Sequence, residues 1–136
     1  MGAKRQQYPF TPRTATALTV GDIIPVQGST GKWGCLQVVE IAARKRVFFI
    51  VGLLDWRGDS QPTPDDVVAA APLQRALTGI ELFTDGGLTV TGNSPPADAG
   101  QERHLGPSYI GKKTNVWGWR AATGYAERHA DGLNTA

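Results

Sequence analysis

The sequence predicts a mainly β fold, a β-rich α+β chain arranged as a curled antiparallel sheet or a partly open small barrel with one short helix. Three observations lead there. The 136 residues include 17 glycines and 9 prolines, which favours many turns and short elements. Residues Trp33 to Ile41 alternate, with Cys35, Gln37 and Val39 on one side and Leu36, Val38 and Glu40 on the other. Val47 to Val51 is an unbroken run of β-branched and aromatic residues, as expected of a strand buried on both faces. A chain of this length suits one domain and buries enough surface for a core without staples.

The elements follow in order. Met1 to Thr19 is polar and interrupted by Pro9 and Pro12, so residues 1–19 are expected as a flexible or extended lead-in. Gly21-Asp22 turns into Ile23-Ile24-Pro25-Val26, a short or edge strand because Pro25 cannot donate to a ladder. Gln27 to Lys32 forms a hairpin loop. Strands follow at Trp33–Ile41 and Arg46–Leu54. Thr63-Pro64-Asp65-Asp66 then predicts a helix start: Thr63 caps, Pro64 suits the first position, and the aspartates favour the positive end of the dipole. That helix is expected to run about two turns, with Pro72 against its continuation. Gly79 to Phe83 and Leu88 to Thr91 read as a hairpin about Asp85-Gly86-Gly87. Short strands are expected at Ser108–Ile110 and Asn115–Arg120. Tyr125 to Ala130 allows one helical turn in a polar C-terminal tail, residues 123–136. Residues 20–122 then make up a single β-rich domain.

Composition narrows the function classes. The net charge is +2, from 14 basic and 12 acidic side chains, which disfavours nucleic acid as a partner on bulk charge. The run Arg44-Lys45-Arg46 reads as a solvated hairpin turn. A single cysteine, Cys35, excludes an internal disulfide and fits a reducing compartment. Met1 to Arg13 lacks the apolar stretch of a signal peptide, and the longest apolar run is too short for a membrane span. The expected location is cytoplasmic, with no membrane partner.

No arrangement with a catalytic signature emerges. His104 and His129 are the two histidines, and neither has Cys or His at ligand spacing, so no metal site is expected. Cys35 or Ser108 with His104 lacks a local nucleophile motif. Gly28-Ser29-Thr30-Gly31-Lys32-Trp33 superficially resembles a phosphate-binding loop. Trp33 stands where Ser or Thr belongs, however, and a strand follows, not a helix. No enzyme, cofactor or small-molecule ligand is therefore expected. The aromatic residues are more informative. Trp33, Trp56, Trp117 and Trp119 are four tryptophans in a small chain. On a strand, Trp117 and Trp119 would share one face beside Arg120, and Trp56-Arg57 ends the most apolar strand. Tryptophan and arginine are enriched at interface hot spots, while core rings closing a barrel are the competing reading. Asp55, Asp59, Asp65 and Asp66 flank one loop as an acidic rim or as solvated turn residues. The candidate partner-binding residues are Trp56, Arg57, Asp59, Asp65, Asp66, Trp117, Trp119 and Arg120.

Two segments carry a resemblance. Gly21-Asp22-Ile23-Ile24-Pro25-Val26 followed by Gly31-Lys32-Trp33-Gly34-Cys35-Leu36-Gln37-Val38-Val39 resembles the opening of the immunity protein 26 family. Gly87-Leu88-Thr89-Val90-Thr91-Gly92-Asn93-Ser94-Pro95 is similar to its later strand, which ends in Gly near a Pro. The chain departs by lacking the tryptophan usual beside that strand. The resemblance implies a bacterial immunity protein of a polymorphic toxin system, one that binds and neutralises a cognate protein toxin. It supplies no catalytic residues. The alternative is a small β-barrel that binds nucleic acid, with Trp33 and the Arg44-Lys45-Arg46 hairpin as its stacking and basic surface.

Overall fold

A computed structural model describes residues 7–41, 46–97 and 115–133. The alternating and apolar runs pair as expected. Strand β1 (Asp22–Gln27) pairs antiparallel with β2 (Trp33–Glu40), and β2 pairs with β3 (Phe48–Leu54). Strand β4 (Pro72–Gly79) joins β3, and the two-residue β5 (Gly92–Asn93) joins β1. The result is an open five-stranded antiparallel sheet in the order β4-β3-β2-β1-β5. The expected mainly β fold with a curled sheet is what forms, and it does not close into a barrel.

Strand alternation divides the sheet into two unequal faces. Ile24, Val26, Leu36, Val38, Phe49, Val51, Leu53 and Ala76 form one side of the main core. Helix α2 (Trp119–Ala130) covers them through Ala122 and Ala126, and the single-turn helix α1 (Glu81–Thr84) adds Leu82 and Phe83. The helix lies close to the sheet because small residues meet there. A Cβ on Gly34 would sit 2.9 Å from the Ala126 carbonyl oxygen, so only glycine lets the two backbones approach this closely. On the opposite face a smaller cluster joins Ile23, Cys35, Leu54 and Val67, with Trp56 packed against it. Buried Gln37 also belongs there by alternation; its Nε2 donates to the Ser94 carbonyl at 2.6 Å.

Several expected elements take a different form. The turn after Thr63 is a single 3-10 turn, Pro64–Val67, not a two-turn helix. It stops early because Val67 already reaches the far-face cluster and the chain must return at Pro72 to pair with β3. Pro72 begins strand β4, a place a proline tolerates because β4 is an edge. Gly79 to Phe83 is not a strand. Ile80, Leu82 and Phe83 are buried together by a helical turn, and Gly86 N–H closes it on the Glu81 carbonyl at 2.8 Å. Leu88 to Thr91 therefore has no hairpin partner there; Val90 bridges Phe10 instead, with both backbone bonds at 2.9 Å. Residues 115–117 bridge β4 through Leu77, and α2 starts at Trp119, so the expected strand to Arg120 is overturned. The boundary expected at residue 122 falls inside α2. Within the lead-in, expected to be flexible or extended, Ala15 and Leu18 are buried in the main core. The expected strand at Ser108–Ile110 lies outside the described residues, as do Arg44, Lys45 and His104. No helix among the described residues is long and apolar enough to cross a membrane.

Candidate functional site

The Gly21-Asp22 pair is structural. Gly21 holds φ at +101°, a conformation that disfavours any side chain, and this turns Asp22 inward. Asp22 is 0% exposed, and its carboxylate accepts from Tyr8 Oη (2.9 Å), Thr19 N (2.8 Å) and Asn93 Nδ2 (3.0 Å). Burial, reinforced by the neighbouring carboxylate, pushes the Tyr8 phenol up to about 12. One side chain thus ties the lead-in, the start of β1 and β5 together.

The exposed chemistry gathers at the other end of β1, where three segments distant in sequence lock into one rim. They are the Gln27–Lys32 hairpin, the loop after Asp55 and the C-terminal end of α2. Asp131 Oδ1 accepts from Thr30 N (3.0 Å) and Thr30 Oγ1 (2.6 Å). Its Oδ2 accepts from Ser29 N (3.1 Å) and Ser29 Oγ (2.8 Å). These bonds, from the Thr30 hydroxyl first, hold the Asp131 carboxyl well below the usual carboxylate range. The resemblance to a phosphate-binding loop thus has a physical basis. The hairpin tip does present two N–H groups and two hydroxyls to an anion, but that anion is the chain's own Asp131.

Further contacts close the rim. Arg57 Nε and Nη2 donate to the Ala130 carbonyl at 3.2 and 3.1 Å, satisfying a carbonyl at the end of α2. Trp33 and Gly58 exchange both backbone bonds, at 2.8 and 3.0 Å. Lys32 and Asp59 form an ion pair, which lowers the Asp59 carboxyl. His129, on the last turn of α2, is half-buried. Its burial lowers the imidazole pKa, against an opposing pull from Asp55, and its Nε2 has no hydrogen-bond partner.

The predicted partner-binding residues divide into three places. Trp56, Arg57 and Asp59 belong to the rim. Trp117, Trp119 and Arg120 lie at the opposite end of α2, whose 12 residues span about 18 Å. Trp117 is core, 7% exposed, with its ring 4.9 Å from that of Tyr125. Trp119 packs partly against the core, and Arg120 sits over its ring at 5.0 Å. They do not share a strand face, because the chain becomes helical between them. Asp65 and Asp66 belong to the 3-10 turn on the far face. Asp65 is exposed, while Asp66 Oδ2 accepts the Thr63 N–H at 2.9 Å. A continuous acidic rim does not form. Sequence reasoning missed Ser29, Thr30, Lys32 and Asp131 as rim residues. The Gly-, Ser- and Thr-rich hairpin was visible, but its partner lies 101 and 102 residues away.

Burial pushes the Cys35 thiol up to about 12, so a thiolate is scarce at neutral pH. No group of three or more His, Cys, Asp or Glu stands ready for a metal among the described residues. Two shallow grooves flank the hairpin, of about 360 Å³ beside the end of α2 and about 260 Å³ on the far face of β1. No protein-family model, no curated protein and no solved structure matches the chain.

Proposed function

We propose that this protein binds and neutralises a cognate protein toxin, and that the locked rim is its docking surface. One observation carries the proposal: three segments remote in sequence are fixed to one another at an exposed edge. Their hydrogen bonds lie at the surface, where they add little to global stability but hold the loops in one shape. A surface ordered before binding loses less entropy on association, which favours tight protein recognition. The half-buried Trp56 and the adjacent Arg57 supply residue types enriched at interface hot spots. The residues resembling immunity protein 26 include Gly21-Asp22 at the far end of β1, strands β1 and β2 that carry the rim, and Gly31-Lys32 in the rim's own hairpin.

The rim mixes Lys32, Arg57 and Arg128 with Asp59, Glu127 and Asp131. That mixture suits a partner of mixed surface charge, not the strongly basic face of a nuclease. It also argues against the nucleic-acid alternative, because Asp59 pairs with Lys32 and Asp131 occupies the hairpin donors that would otherwise meet a phosphate.

Co-expression with a toxin encoded immediately upstream tests the proposal. A stable complex and restored growth are expected. The double variant Arg57→Ala/Asp131→Ala should weaken the complex roughly tenfold or more while keeping the fold. Absence of both complex and protection overturns the proposal.

A further inference from the structure

The groove of about 260 Å³ on the sheet face opposite α2 has a consistent chemistry. By strand alternation Pro25, Gln27 and Trp33 present their side chains to this face, away from α2. Pro25, Leu88 and the half-buried Trp33 give it its apolar lining. Gln27, Gln61, Thr89 and Thr91 give it polar sides. None of these side chains ionises. The Thr91 hydroxyl is buried at this wall without a hydrogen-bond partner in the protein.

These features select a ligand class. The neutral lining offers no charge-assisted bond to a phosphate, carboxylate or ammonium group, so an ionic ligand gains little here. The glutamine and threonine side chains each donate and accept, which matches a ligand whose own groups do both. The indole among the lining residues offers an apolar ring that a C–H face can pack against. A ligand with one C–H face and a rim of hydroxyls meets all three conditions. The volume, slightly below the usual range for drug-sized molecules, fits about one pyranose ring with its substituents.

An extended peptide is the obvious competitor, because β1 borders the groove near the end of the sheet. Its edge is poorly suited to adding a strand. The Ile23 carbonyl already accepts the Thr91 N–H at 3.2 Å, and Pro25, the next residue facing outward, has no N–H to donate. We infer that this groove is a binding site for a neutral saccharide, with Trp33 as its stacking platform and Gln27, Gln61 and Thr89 as its hydroxyl-binding groups. The site borders the docking surface and shares Gln27 and Gln61 with its hairpin and loop, but it uses none of Arg57, Asp59 or Asp131, so Arg57→Ala/Asp131→Ala leaves it intact.

The test is a titration of the isotope-labelled protein, following tryptophan indole N–H and glutamine side-chain amide resonances. The probes are maltose, cellobiose and lactose, with sodium phosphate and a neutral tripeptide as comparators. At least one disaccharide should shift the Trp33 indole and the Gln61 amide saturably, with a Kd of about 1 mM, leaving the Trp117 indole unmoved. Trp33→Ala should weaken binding roughly tenfold, and Trp33→Phe less, because a ring remains. Gln61→Ala, in an exposed loop, tests the site without disturbing the sheet and should weaken binding severalfold. No saturable shift with any sugar, equal shifts of all the indoles, or saturation by the tripeptide or phosphate instead would overturn the assignment.

Discussion

The two ends of α2 are fastened to the sheet by different physics. At its start, rings and aliphatic contacts hold it: Trp117 packs against Tyr125 with the rings tilted by 42°, and Ala122 is fully buried. At its end, directional bonds hold it: Arg57 on the Ala130 carbonyl, and Asp131 on the hairpin tip. Apolar burial is strong but tolerant of small displacements. Surface hydrogen bonds are weak in net stability but strict in geometry. The first end therefore sets whether the helix docks at all, and the second sets the shape of the rim.

Removing the ring at the first end should produce the largest effect. Trp117→Ala is expected to cost about 3–5 kcal/mol in urea unfolding, because a buried tryptophan leaves a cavity under α2. A loss below about 1 kcal/mol would mean that the packed rings are not what anchors the helix. At the other end, Arg57→Ala should cost only about 1 kcal/mol, since its bonds to Ala130 are partly solvated. Its main effect should be local, as faster amide exchange over the last turn of α2 and the Gln27–Lys32 hairpin.

Asp131→Ala sharpens the contrast further through its pH dependence. A depressed carboxyl stabilises the fold above the unfolded carboxylate value of about 4, and that contribution is lost as pH falls through the folded value. Wild-type and variant stability curves should therefore separate above about pH 4 and converge in strong acid. The separation should be small, because Asp131 is solvent-accessible and screened. Curves that run parallel through the acid range would show that the hairpin lock contributes nothing through its charge.

How much of this was legible in the sequence depended on the range of the signal. Strands β1 to β3 were readable because their apolar residues recur within the strand itself, as in Trp33 to Ile41. Strand β4 was obscured by Pro72, which suggests a break when read locally but suits the first residue of an edge strand. Helix α2 carried a signal that the polar tail masked: Ala122, Ala126 and Ala130 recur every four residues, and all three are fully buried. Small residues read as weakly apolar, yet here they are what brings the helix close to Gly34. The rim was the least legible part. Arg57 and Asp59 were visible as loop residues, but Asp131 joins the rim through bonds to Ser29 and Thr30, 102 and 101 residues away. Nothing in the local pattern around Asp131 marks that partner.

Hydrogen exchange of the protein with and without the proposed toxin partner bears most directly on the rim. Bound toxin should slow exchange at Gln27–Lys32, Asp55–Gln61 and Arg128–Leu133, with little change around Trp119 and Arg120. Protection centred on the start of α2, with the hairpin and the Asp55–Gln61 loop unaffected, would contradict a docking role for the rim.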